Sequence, residues 1–149
     1  MNDAPIEAPS GIQTRELLVS DYPLIAKLWA EADGVEIAEG DSPEEIGRYL
    51  SRNPGLSRVA LDGARIAGAV LCGHDGRRGF IYHLAVAPAY RECGIAKLLV
   101  GECMAGLRAA GIVRAIILVA EDNPGGHAFW LRDGWEDISG ATPMARDVA

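Results

Sequence analysis

Cysteine is scarce in this chain. The three that occur, Cys72, Cys93 and Cys103, have no metal-ligand spacing and cannot all pair internally, which points to free thiols, a reducing compartment and a cytoplasmic setting. Histidine is equally sparse. His74, His83 and His127 are scattered, so no zinc or other metal site is expected. Long apolar runs are missing as well: the longest, Ala115 to Ala120, falls far short of a bilayer span, and no membrane partner is expected. Met1 to Gly11 contain Asp3 and Glu7 but no basic residue, so no secretory signal is expected. Positive charge is in the minority, with 14 Lys and Arg against 21 Asp and Glu and a formal net charge of −7. That balance, with a pI near 4.9, disfavours nucleic acid as a partner. No internal repeat or low-complexity linker is present. What remains is ordinary globular composition, 49% hydrophobic and 23% charged over 149 residues, which suits one domain.

Residues 1–13 mix Pro, Ala and acids without periodicity and are expected to form a flexible arm, leaving 14–149 as a single domain. Thr14 to Val19 reads as a strand. Asp21 is placed to cap a helix with Pro23 in its first turn and an apolar stripe of Leu24, Ile25, Leu28, Trp29 and Ala32. Ser42 and Glu45 form a capping box around Pro43 for a second helix, which Asn53-Pro54-Gly55 stops. Ser57–Leu61, Arg65–Cys72 and Gly79–Val86 read as three strands joined by Asp62-Gly63 and Asp75-Gly76 turns. A long helix is expected from about Glu92 to Ala110, then a buried strand from Ile112 to Ala120. A short helix over Asn123–Asp133 follows, with one or two edge strands in the tail. Consecutive hairpins argue against a doubly wound sheet, so the class is α+β with a mixed, mostly antiparallel sheet.

The chemistry concentrates between Val86 and Ala96. A strand ends at Pro88, a tight loop follows, and a helix opens with small residues at Gly94 and Ala96. Unpaired amides at a helix start suit phosphate oxygens. No Walker loop and no Gly-x-Gly-x-x-Gly is present. The residues alone read either as an anion site or as a plain left-handed turn.

Arg91-x-x-Gly94-x-Ala96, led by Val86-x-Pro88-x-Tyr90-Arg91, resembles the pyrophosphate loop of the GNAT superfamily, the acetyl-coenzyme-A-dependent N-acetyltransferases. Asn123, Gly126, Phe129-Trp130 and Gly134-Trp135 are similar to that family's last helix. Gly73 to Gly79 with the following strand resembles its small bacterial branch related to ribosomal-protein-alanine acetyltransferases. The resemblance runs from about Thr14 to Asp137. It implies a twisted sheet of about six or seven strands with about four helices, and acetyl-CoA as cosubstrate. It further implies that the backbone of Leu84, Ala85 and Val86 pairs with the pantetheine arm as an added strand. An amide at Leu84 or Ala85 would then polarise the thioester carbonyl. Arg91, Glu92, Cys93, Gly94, Ile95 and Ala96 would hold the pyrophosphate through their amides, with Asn123 and Trp130 contributing from the last helix. A neutral primary amine would attack the thioester directly.

Three positions depart from the family pattern. Glu92 stands where glycine is common, and a carboxylate there repels a diphosphate. Cys93 replaces a frequent basic residue; at a helix start it is either a redox-active thiol or a passive loop residue. Trp130 replaces the tyrosine that protonates the leaving thiolate, and an indole N–H is no general acid near neutral pH. A slower or rearranged enzyme is expected, the alternative being a non-catalytic acyl-CoA binding or sensing module. The candidate chemical residues are Glu121, Tyr82 and His83. Each has a plain alternative: a cap for the last helix, a core aromatic and a structural histidine. Tyr82 is expected on one strand face with Phe80, Leu84 and Val86, and His83 on the other with Ile81 and Ala85. Seven acids, Glu31, Asp33, Glu36, Glu39, Asp41, Glu44 and Glu45, crowd a stretch with no Lys or Arg from Leu28 to Gly47. They read as a solvated face; the resemblance implies instead that they form one wall of an acceptor groove, which would draw in a cationic amine or basic peptide end. Exposed edge strands permit a monomer or a homodimer.

Overall fold

The computed structural model describes residues 6–149. Of the segment expected to form an arm, residues 1–5 lie outside the described residues, and Ile6 rests against Gly101 of the long helix. Among the described residues the chain forms β1 (Ile12–Glu16), α1 (Tyr22–Glu31), α2 (Pro43–Arg52), β2 (Arg58–Asp62) and β3 (Arg65–His74). These are followed by β4 (Gly79–Val86), α3 (Ile95–Ala109), β5 (Ala115–Ile116) and α4 (Pro124–Arg132). The five strands lie in sequence order, β1 to β4 antiparallel and β5 parallel to β4. The α+β class and the four α-helices agree with the expectation.

Two apolar clusters sandwich the sheet. On one face Ile95, Leu99, Val100, Cys103 and Leu107 of α3 pack on Ala60, Val70, Cys72 and Ile81. On the other, Ile25, Leu28 and Trp29 of α1 and Ile46 of α2 cover Val59, Ala69, Leu71 and Ala85. The capping box at α2 is present in full: Ser42 accepts from the Glu45 amide, and Glu45 accepts from the Ser42 amide. Asp21 does not cap α1. Its carboxylate is taken by both guanidinium nitrogens of Arg15, at 2.7 and 2.8 Å, and by the Leu18 amide. The Arg15 hydrogen bond therefore holds the Asp21 carboxyl below the usual range. A guanidinium fork outcompetes an exposed helix end for a buried carboxylate.

Three further expectations change. Helix α3 begins at Ile95 rather than near Glu92, because Glu92 and Gly94 take left-handed backbone, φ 61° and 82°, which no α-helix accommodates. The strand expected over Ile112–Ala120 pairs only at Ala115 and Ile116, and it is not buried: Val113 is 95% exposed and Leu118 67%. The expected six or seven strands are five, because residues 133–149 run without pairing. That tail offers little to hold a register, since Gly134, Gly140 and Pro143 interrupt it and its β-branched residues are sparse.

Candidate active site

Strand β4 is where the sheet comes apart. Its parallel pairing with β5 covers only Gly79 with Ala115 and Phe80 with Ile116. Beyond Phe80 the edge of β4 that faced β5 has no strand on it, so backbone groups of residues 81–86 on that side lack a ladder partner. Leu84, Ala85 and Val86, expected to pair with a pantetheine arm, lie on this open edge.

At the end of β4 the chain makes a single turn of 3-10 helix at Pro88–Tyr90 and enters the loop before α3. Arg91, Glu92, Cys93 and Gly94 are all exposed. The amides of residues 92–97 have no acceptor among the described residues, as an uncapped helix start requires. A Cβ built on Gly94 would meet nothing within 4 Å, so the space before these amides is clear. Amides, helix dipole and open approach fit the diphosphate of a coenzyme A molecule; the Glu92 carboxylate is the discordant charge. The Cys93 thiol is turned back on the Arg91 carbonyl at 3.4 Å.

A bulge redirects the middle of β4. Tyr82 pairs with Leu71 and Ala85 with Ala69, so three steps on β4 answer two on β3. His83 carries the extra residue, at φ 51°. Strict alternation therefore fails, and the expected face assignment with it. Leu84, Val86 and Ile81 join the α3 side, whereas His83 stacks edge-on against Trp29 of α1, ring centroids 4.8 Å apart. Tyr82 and His83, expected on opposite faces, line one cavity of about 290 Å3 together with Tyr49, Leu71, Glu36 and Asp41. Tyr82 is 39% exposed and stacked on Phe80, and desolvation raises its phenol pKa, so it stays protonated at neutral pH. It is not a core aromatic. The buried Tyr49 hydroxyl, without a partner among the described residues, is pushed upward more strongly by the same cause.

Of the acidic stretch, Glu36, Ala38, Glu39, Gly40 and Asp41 form a wall of that cavity; Glu31, Asp33, Glu44 and Glu45 do not line it. Asp41 is 8% exposed; its Oδ2 lies 2.8 Å from His83 Nε2 and accepts from the Ala38 amide, while its carbonyl accepts from the Tyr22 hydroxyl. Sequence reasoning placed Asp41 in an acidic cluster but missed this partnership, which no local signal announces across 42 residues. The same loop passes Asn123 at Gly34, where a Cβ would collide with the Asn123 amide. Asn123 itself caps α4, accepting from the Gly126 amide at 3.1 Å. Glu121 is exposed in the turn before it and makes no hydrogen bond among the described residues, so it is not the cap that its plain reading supplied. Trp130 lies in an aromatic cluster, edge-on to Phe129 and Trp135 at 5.1 Å each. It lines a separate groove of about 880 Å3 between residues 113–119, α4 and the tail, to which the loop before α3 contributes nothing. Among the described residues no three His, Cys, Asp or Glu side chains converge to hold a metal, and no helix is long and apolar enough to cross a membrane.

Known proteins share this arrangement. By fold, the chain is similar to an aminoglycoside acetyltransferase from an uncultured soil metagenomic sample, with TM-score 0.72, 16% identity, and 93% of this chain and 97% of that one covered. It is also similar to N-acetylglutamate synthase of Neisseria gonorrhoeae, solved with coenzyme A and N-acetyl-glutamate, with TM-score 0.66 and 22% identity. That match covers 81% of this chain and 27% of the synthase. By sequence, it is 33% identical to an acetyltransferase of Photorhabdus laumondii over 75% of this chain and 78% of that protein. It is 36% identical to an acetyltransferase of Pectobacterium atrosepticum over 69% and 72% of the two chains. The sequence model of the acetyltransferase (GNAT) family matches residues 13–135, from β1 through Trp135. With the family model matching residues 13–135 and relatives 33% and 36% identical over most of both chains, this protein belongs to the GNAT family and is an acyl-CoA-dependent N-acetyltransferase that uses acetyl-CoA.

Proposed function

We propose that this enzyme transfers the acetyl group of acetyl-CoA to a primary amine that carries positive charge, either a small amine or a peptide end. The observation that carries the reading is the coincidence of three features along one strand. The open edge of β4 at residues 84–86 supplies groups to pair with the pantetheine arm, and the free amides of residues 92–97 supply donors for the pyrophosphate. At the bulge just before that edge, Tyr82 and His83 look into a cavity walled by Glu36, Glu39 and Asp41. Carboxylates there raise the local concentration of a cationic acceptor, and the effect weakens with salt. An amine seated beside β4 meets the thioester carbonyl with little loss of orientation entropy, which supplies much of the rate. The Leu84 or Ala85 amide would take the carbonyl oxygen.

The test is paired. Calorimetry should detect acetyl-CoA binding at micromolar concentration. Thiol release should then follow with diamines or basic peptides and fall as salt rises. Tight binding with no release from any acceptor would replace the enzyme by an acyl-CoA sensor, the role that Glu92 and Trp130 favour.

A further inference from the structure

We infer that Asp41 and His83 form a proton-accepting dyad, in which Asp41 fixes the imidazole and His83 Nδ1 takes the proton from the incoming ammonium. The inference rests on the acetyl-transfer reading of the same cavity. His83 Nε2 lies 2.8 Å from Asp41 Oδ2, with side-chain exposures of 18% and 11%. Both groups are thus largely withdrawn from water, and the carboxylate selects the tautomer that carries hydrogen on Nε2. Nδ1 is then the basic nitrogen. It makes no hydrogen bond among the described residues and is not sealed from solvent, and the ring lines the cavity. The ring has little freedom to move: Trp29, itself 1% exposed, packs edge-on against it, and the Ala38 amide and the Tyr22 contact hold Asp41.

The placement is specific to the bulge. With regular alternation His83 would face the α3 side beside Ile81; the left-handed residue turns it toward α1 and α2, next to Leu84 on the open stretch of β4. The charged and titratable groups around the ring come from several elements. The Glu31–Glu45 stretch gives Glu36, Glu39 and Asp41, α2 gives Tyr49, and β4 gives Tyr82; α1 gives Trp29 against the ring and Tyr22, whose hydroxyl donates to the Asp41 carbonyl. Among the described residues no Lys or Arg lines the cavity.

The step balances. The ammonium gives one proton to Nδ1 and becomes a neutral amine. Its nitrogen bonds to the thioester carbonyl carbon and the carbon–sulfur bond breaks. A second nitrogen proton goes to the departing thiolate through water, and His83 returns its own to solvent.

The test uses the full chain. Long-range nitrogen–proton NMR of the free enzyme should show neutral His83 protonated on Nε2 and bare on Nδ1, and Asp41→Asn should lose that single tautomer. Acetyl-CoA turnover with butane diamine should fall by ~10²-fold or more in His83→Asn, as loss of a general base predicts, with KM for acetyl-CoA within about twofold. Asparagine tolerates the left-handed backbone, so the bulge survives. Asp41→Asn should lower kcat and change the acid limb of the pH–rate profile, and Asp41→Glu should restore part of both. Turnover in His83→Asn within about threefold of the parent, an Nδ1–H tautomer, or an unchanged profile in Asp41→Asn would each overturn the dyad alone. A parent enzyme that binds acetyl-CoA yet acetylates no amine would overturn the acetyl-transfer reading, and the dyad's role with it.

Discussion

Glu92 combines two liabilities that a pair of substitutions separates. Its backbone is left-handed, φ 61°, and its carboxylate stands exposed among the amides expected to hold the diphosphate. Left-handed backbone costs a residue with a Cβ about 1–2 kcal/mol, and glycine returns roughly 0.5–1 kcal/mol of that as extra unfolded-state entropy. Glu92→Gly should therefore raise stability by about 0.5–1 kcal/mol, a Tm gain of roughly 2–4 °C for a chain this long. The charge effect is independent. Taking a separation of about 7 Å between the carboxylate and two diphosphate charges, and a Debye length near 30 Å, binding should weaken about fivefold in dilute buffer. At physiological salt, where the length is about 8 Å, the penalty shrinks to about twofold. Glu92→Gln removes the charge and keeps the strain; Glu92→Gly removes both. Calorimetric titration of coenzyme A at the two ionic strengths should show tighter binding in both variants, most in dilute buffer. Thermal unfolding should rise only in the glycine variant. Equal affinity for parent and Glu92→Gln in dilute buffer would refute the electrostatic reasoning, and equal Tm for the two variants would refute the strain reasoning.

Asp21 has its pKa lowered in the folded state by the Arg15 hydrogen bond, so its contribution is present above the unfolded value near ~3.9 and is lost as pH falls through the folded one. Asp21→Asn should lower the urea midpoint at pH 7, and the gap from the parent should close as the titration moves below about pH 4; a gap constant with pH would refute the pairing. Trp130→Tyr should raise kcat by about tenfold or more, toward the ~10²-fold that general acids supply, if thiolate protonation is slow. A flat result places the slow step elsewhere. A Cβ on Gly73 would sit 2.7 Å from both the Tyr49 hydroxyl and Asn53 Nδ2. Gly73→Ala should therefore destabilise by about 1–3 kcal/mol in thermal unfolding and raise KM for the amine more than KM for acetyl-CoA.

Local chemistry made much of the fold legible. Asp62-Gly63 and Asp75-Gly76 mark the hairpin turns, the limits of β4 coincide with those expected, and the Ser42–Glu45 box stands where the pattern put it. What resisted reading depends on partners distant in sequence. A capping position attracted Asp21, yet Arg15 claims it across the strand end. The bulge at His83 has no sequence marker, because histidine is neither glycine nor asparagine, and one extra residue reverses the expected facing of Leu84 and Val86 relative to Tyr82. Ile112 to Ala120 has the composition of a buried strand but lacks a second strand to bury it. At the site, the loop before α3 was readable from its residue types, whereas Asp41 could be assigned to His83 only once the chain had folded back on itself.

The two-pair junction between β4 and β5 makes the last quarter of the chain a separable unit. Past Ile112, few ladder bonds tie it to the sheet; it is held chiefly by Ile117, Phe129, Trp130 and Trp135 lying against the α3 cluster. Such a region opens without global unfolding, so its amides should exchange with deuterium well before those of β2 and β3. A molecule of coenzyme A lying in the gap would bridge the two units, and its binding would slow exchange on both sides at once. The cosubstrate would then act as a missing strand, and the enzyme would be most completely folded only while it is loaded.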